Sequence, residues 1–93
     1  MIREKRYSNI MDFQDASGII RFLDARGVAN AIDLRAVIPT YDRMKKLLDT
    51  MKDEGLVDVV FEESPRIKYT YSLTEKGKKV AKKIKEIDEI INS

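Results

Sequence analysis

The residues of this chain that can do chemistry are its cations. Arg43, Lys45 and Lys46 fall within four residues of one another, directly behind Thr40, Tyr41 and Asp42. A guanidinium can pair bidentately with the edge of a guanine, and an ammonium neutralises a phosphate. Arg66 and Lys68 form a second set after Pro65, with Glu62 and Glu63 beside them, which phosphate would repel. The densest set is 66–85, where Arg66, Lys68 and six further lysines stand against Glu75 alone. Glu86, Asp88 and Glu89 then reverse the sign. The 18 basic and 16 acidic residues leave a net charge of only +2, so any argument for a polyanionic partner rests on where the charges sit.

Residue types exclude most other chemistry. The chain has no Cys, which removes thiolate nucleophiles, disulfides and Cys-type metal centres. It has no His, the commonest general base near neutral pH and the commonest transition-metal ligand. The four glycines, Gly18, Gly27, Gly55 and Gly77, are spaced as helix punctuation and make no phosphate loop. The adjacent acids Asp53-Glu54 and Glu62-Glu63 read as exposed surface. No enzyme, metal or cofactor is expected. No apolar run approaches the ~20 residues that cross a bilayer, so no membrane partner is expected. The basic start Met1–Arg6 lacks the apolar stretch of a secretory signal, and the cytoplasm is the expected compartment. A length of 93 residues implies one domain, 1–93, with one core.

The elements that position these cations follow from periodicity. Asp12 with Asp15 resembles a loose capping box ahead of a helix over 13–25, with apolar Phe13, Ala16, Ile19, Ile20, Phe22 and Leu23, ended by Gly27. Asn30 with Asp33 three residues on predicts a second helix from Ala31 to Val37 or Ile38, stopped by Pro39. Thr40 caps a third helix, 41–54, with Met44, Leu47, Leu48 and Met51 as its apolar stripe. The period then changes to alternation. Residues 56–61 and 67–73 predict a β-hairpin, with Ile67, Tyr69, Tyr71 and Leu73 on one face and Ser64-Pro65 in the turn. Thr74 caps a last helix, 75–91, in which Val80, Ile84, Ile87 and Ile91 keep a heptad rhythm.

This order resembles a winged helix-turn-helix domain. Ile19–Leu23 followed by Gly27 resembles the family's first helix, and Leu47–Val57 resembles the end of its recognition helix and the first wing strand. Tyr71–Gly77 is similar to the "L-T-x-x-G" junction into the final helix, common in small MarR-like and PadR-like regulators, many of them archaeal or from archaeal viruses. The resemblance covers roughly 13–91. It implies an α+β fold with a three-helix core, a two-stranded hairpin wing and a C-terminal helix. The parts are an N-terminal arm at 1–11, a core at 12–74 and a dimerisation helix at 75–93.

The resemblance also implies binding to double-stranded DNA, with helix 40–54 in the major groove and wing 62–68 on the adjacent groove or backbone. The outward positions Thr40, Tyr41, Asp42, Arg43, Lys45 and Lys46 then face bases and phosphates, with Arg43 on a base edge. Arg43 in the first turn and Asp53 and Glu54 in the last both oppose the helix dipole, which favours a role other than the helix's own stability. Arg66 and Lys68 are the wing contacts, and Arg66 is the one expected to touch DNA. The lysines of the last helix read equally as a phosphate-facing flank or as plain solvated surface.

The Val80, Ile84, Ile87 and Ile91 seam either packs on its own subunit or pairs with a second copy. Two heptads are short for a coiled coil, so a homodimer would draw on Ile2, Tyr7, Ile10 and Met11 as well. Its two recognition helices would lie about 34 Å apart, one DNA turn. The expected function is a dimeric transcriptional regulator without an identified small-molecule effector. Two alternatives are a winged-helix protein-interaction module and a sequence-tolerant architectural DNA binder; the near-zero net charge weighs against the second.

Overall fold

The computed structural model describes residues 9–93. Residues 1–8 of the expected arm, with Ile2 and Tyr7, lie outside the described residues. Its remaining part is structured. The Asn9 side chain accepts the Met11 N–H at 2.8 Å and opens a 3₁₀ turn, Ile10–Asp12, in which Ile10 is buried. Phe13 is extended, so it is not the first residue of a helix as the spacing suggested.

The first helix, α1, spans Ala16–Arg26 and buries Ala16, Ile19, Ile20 and Leu23. Its N-cap is Asp15, not Asp12, and Asp15 makes no side-chain cap bond. Gly27 closes α1 at φ +86, where its N–H still reaches the Leu23 carbonyl at 2.8 Å. Any residue with a Cβ is strained at that φ.

A short strand, β1 (Val28–Asn30), follows; the sequence pattern shows no sign of it. The second helix, α2 (Ala31–Leu34), carries the expected capping box. Asn30 Oδ1 accepts the Asp33 N–H at 2.8 Å, and Asp33 Oδ2 accepts the Asn30 N–H at 3.2 Å. The helix is shorter than expected. From Leu34 onward the N–H groups of Ala36 and Val37 bond three residues back, to Asp33 and Leu34. That tightens the chain toward the Ile38-Pro39 corner while keeping Ile38 in the core.

The third helix, α3, spans Tyr41–Asp53 and buries Met44, Leu47, Leu48 and Met51, the predicted stripe. Thr40 occupies the cap position. Its carbonyl accepts the Met44 N–H, but its hydroxyl makes no cap bond.

Strands β2 (Val57–Glu62) and β3 (Lys68–Leu73) form the predicted hairpin. The sheet has three strands rather than two, antiparallel in the order β1-β3-β2. Ala29 pairs with Tyr71 on one side of β3, and Val59 pairs with Tyr71 on the other. Tyr71 and Leu73 are buried, as the alternation required.

The last helix, α4 (Glu75–Asn92), starts at Thr74, whose hydroxyl accepts the Gly77 N–H at 2.9 Å and donates to the Gly55 carbonyl at 2.6 Å. Gly77 is a close-approach position: a methyl there would collide with the Leu56 carbonyl oxygen. Ala81 and Ile84 enter the core, and α4 packs against α1, with an Arg21–Asp88 pair between them joined by two hydrogen bonds, at 3.0 and 2.8 Å. Among the described residues no buried side-chain N or O lacks a partner, and no helix is long and apolar enough to cross a membrane.

Candidate nucleic-acid interface

Burial of Met44, Leu47, Leu48 and Met51 leaves the opposite side of α3 in solvent. Tyr41, Asp42, Arg43 and Lys46 are exposed there, with Thr40 just ahead of them, and Lys45 is half-buried. Over α3 and its C-cap residue Glu54 the charges balance: Arg43, Lys45, Lys46 and Lys52 are matched by Asp42, Asp49, Asp53 and Glu54. What the face can do therefore depends on which cations are held and which are free.

The cations fall into three situations. Lys45 turns toward the wing. Its ammonium donates to both Asp49 carboxylate oxygens, at 3.1 and 3.3 Å, and lies 5.8 Å from the centre of the Tyr69 ring. The hydrogen bond to Asp49 holds its pKa above the ordinary lysine value. Arg43 turns the other way, toward the start of α1, where Nη2 donates to Asp15 Oδ2 at 2.6 Å. Lys46 projects between them, and among the described residues its ammonium makes no ion pair or hydrogen bond. Arg43, Lys46, Leu47 and Thr50 line a shallow groove with Phe13 and Gln14.

On the wing, Arg66 is exposed in the turn and Lys68 is exposed opposite Glu62 in the β2–β3 register. That pairing sets opposite charges side by side across the strands. Phe61 and Tyr69 form a cross-strand aromatic pair, with ring centroids 5.0 Å apart, between the wing and Lys45. The wing turn and the start of α2 enclose an open groove of about 450 Å³ lined by Ile32, Pro65, Ile67 and Tyr69, with Arg66 and Lys68 at its polar edge.

The predicted seam on α4 divides. Val80 is half-buried and Ile84 is buried against its own subunit, whereas Ile87 and Ile91 are exposed, together with Ile90. Among the lysines of α4, Lys78, Lys83 and Lys85 lie within 4 Å of Glu75, Glu86 and Asp24, respectively. Lys76 donates to the Glu54 carbonyl at 2.7 Å.

The hold on Arg43 by Asp15 went unread in the sequence, because the two residues are 28 positions apart and no local spacing connects them. The Phe61–Tyr69 pair was within reach, since the hairpin register places them opposite each other. Among the described residues no group of three or more acidic side chains gathers as a metal ligand set would.

A winged helix-turn-helix family model matches residues 34–92, from the end of α2 through α4. Comparison with curated proteins gives no match. Among solved structures, the chain is similar to a transcriptional regulator homologue from Pyrococcus horikoshii OT3, with a TM-score of 0.73 and 21% identity, covering 89% of this chain and 90% of that one. It is also similar to a mutant of ZitR from Lactococcus lactis, with a TM-score of 0.72 and 19% identity over 96% of this chain and 61% of that one. A third is a MarR mutant from E. coli complexed with operator DNA, with a TM-score of 0.64 and 15% identity over 78% of this chain and 54% of that one. The chain thus spans little more than half the length of ZitR or MarR, and the likeness to all three is one of fold. The family model covers well over half of the sequence, and the helices, corner, hairpin and final helix stand in the order it requires; the chain belongs to the winged helix-turn-helix family.

Proposed function

We propose that this protein binds duplex DNA sequence-specifically, as a dimer, and regulates transcription by occupying its site. The observation that carries the reading is the exposed side of α3. It presents Tyr41, Arg43 and Lys46 to solvent while its other side is fixed in the core by four buried apolar residues. A helix anchored in this way fits the major groove, where side chains near its N-terminus reach base edges. Arg43 is assigned to a base edge, Lys46 and Lys45 to phosphate, and Tyr41 and Thr40 to the backbone beside them. Asp42 lies among these contacts and disfavours a phosphate at its own position. Arg66 and Lys68 extend the contact to the adjacent groove.

The dimer is assigned to the end of α4, where Ile87, Ile90 and Ile91 are 51%, 74% and 72% exposed. Three isoleucines within five residues of one helix end, left in water, are costly unless covered. The MarR mutant solved with operator DNA shares this fold, which supports the reading.

The test is fluorescence anisotropy of a labelled duplex at several salt concentrations, with Arg43→Ala and Lys46→Ala alongside. Affinity should fall steeply with salt, and both changes should weaken binding. Lys46→Ala should also flatten the salt dependence by about one phosphate's worth. Absence of binding even at low salt would remove the DNA reading. The α4 isoleucines would then be the place to seek a protein partner.

A further inference from the structure

The structure assigns to Asp15 the task of orienting Arg43 for base reading, an inference that rests on the DNA-binding reading above. Asp15 is unusual in its backbone. It sits at φ +70, the one non-glycine residue with positive φ among those described. Asp tolerates that region better than most residues, yet it is an uncommon choice. The position is also the N-cap of α1, where an Asp ordinarily accepts an N–H from its own helix. In the left-handed conformation it does not, and the side chain makes no cap bond. Its carboxylate instead accepts the Arg43 Nη2–H at 2.6 Å, across 28 residues of sequence.

The pair sits at the surface, with the side chains of Arg43 and Asp15 42% and 27% exposed. A surface ion pair of this kind adds little to stability. Its effect on geometry is larger. Arginine has several rotatable bonds and, unheld, would sample many positions in the first turn of α3. One carboxylate bond at Nη2 leaves the remaining guanidinium N–H groups free to donate outward, in the planar fork that matches the N7 and O6 acceptors of guanine. The carboxylate also lies close enough to the proposed contact to repel nearby phosphate. Asp15 therefore favours a correctly seated site and disfavours arbitrary duplex.

Those two effects have opposite signs, which makes the role testable. Asp15→Asn and Asp15→Gly both suit φ +70, so neither change strains the turn. A preferred duplex is first selected from a randomised pool with the wild-type protein. Single-base variants of it are then titrated against wild type, Asp15→Asn, Asp15→Gly and Arg43→Ala. The expected result is that both Asp15 variants melt as wild type does and bind random duplex at least as tightly. They should also lose preference by at least about fivefold at the same base pair where Arg43→Ala loses it. Preference unchanged in the Asp15 variants would overturn the positioning role and leave a simple tether between α1 and α3. A parallel loss on every duplex would overturn it in favour of a structural role. If wild type selects no site at all, the DNA-reading assignment itself fails, and Asp15 falls with it.

Discussion

Along α4, Ala81 and Ile84 lie in the core at 4% and 5% exposure, while Ile87, one turn further on, is 51% exposed and Ile91 is 72% exposed. The heptad rhythm runs from Val80 through Ile84, Ile87 and Ile91 without a break. The difference comes from what lies opposite. α1 meets α4 through the Asp24–Lys85 and Arg21–Asp88 pairs, and among the described residues nothing covers Ile87, Ile90 or Ile91, which stay at least half exposed. Spacing identifies which residues share a stripe on a helix, and the placement of the neighbouring elements decides how much of that stripe its own subunit covers.

The sharpest way to break this comparison is to change Ile84 on one side of the divide and Ile87 with Ile91 on the other. Ile84→Ala removes a fully packed side chain and should cost about 3 kcal/mol of folding stability in a urea or thermal melt. A change under about 1 kcal/mol would mean that the first half of α4 is not anchored as described. Ile87→Ser combined with Ile91→Ser should leave the folding stability of a single subunit within about 0.5 kcal/mol. In sedimentation the same variant should shift the protein from dimer to monomer. A wild type that sediments as a monomer at working concentrations would detach the end of α4 from assembly.

The smallest effect belongs to the Arg21–Asp88 pair between α1 and α4. Arg21 holds the Asp88 carboxyl below the ordinary carboxylate range through its hydrogen bonds and charge. A lowered folded-state pKa means that the contact stabilises at pH values above the unfolded pKa and is lost as pH falls through the folded one. Asp88→Asn should therefore melt slightly below wild type at neutral pH. The gap should fade as pH falls below about 4. A gap that persists in acid would assign the effect to packing rather than charge.

Much of this architecture was readable from the amino-acid order because it is written locally. Asn30 and Asp33, or Thr74 and Gly77, meet within one helical turn, and their bonds form where the spacing put them. The alternation of 67–73 holds for Tyr71 and Leu73, which are buried, and for half-buried Tyr69, but Ile67 precedes the strand and is exposed. The spacing places the first helix too early because Asp12 and Asp15 imitate a capping pair, whereas Asp12 ends a 3₁₀ turn and Phe13 after it is extended. β1 escaped notice for a different reason. Three residues are too few to show a period, and the strand exists because β3, more than forty residues later, offers Tyr71 and its neighbours as partners. The candidate interface divides in the same way. Which residues of α3 face outward follows from its buried stripe. Which of its cations are held and by what depends on Asp15, a tertiary neighbour, and on Asp49, which is one turn away.

Thr74 has a mechanical consequence. Its hydroxyl ties the start of α4 to the Gly55 carbonyl, its N–H donates to the Leu56 carbonyl at 3.0 Å, and Lys76 reaches the Glu54 carbonyl. Gly77 admits no side chain between them. The joint between the end of α3 and the root of α4 is thus stiff, and α4 behaves as a lever with α3 fixed to its short end. In the proposed twofold assembly, gripped at the far end of that lever, a few degrees of tilt at the grip would move α3 by about 1–3 Å over the roughly 27 Å length of the 18-residue α4. Under that proposal the separation of the two α3 helices would follow the angle at which the copies meet, and the angle would select the helical phase of the half-sites the pair spans.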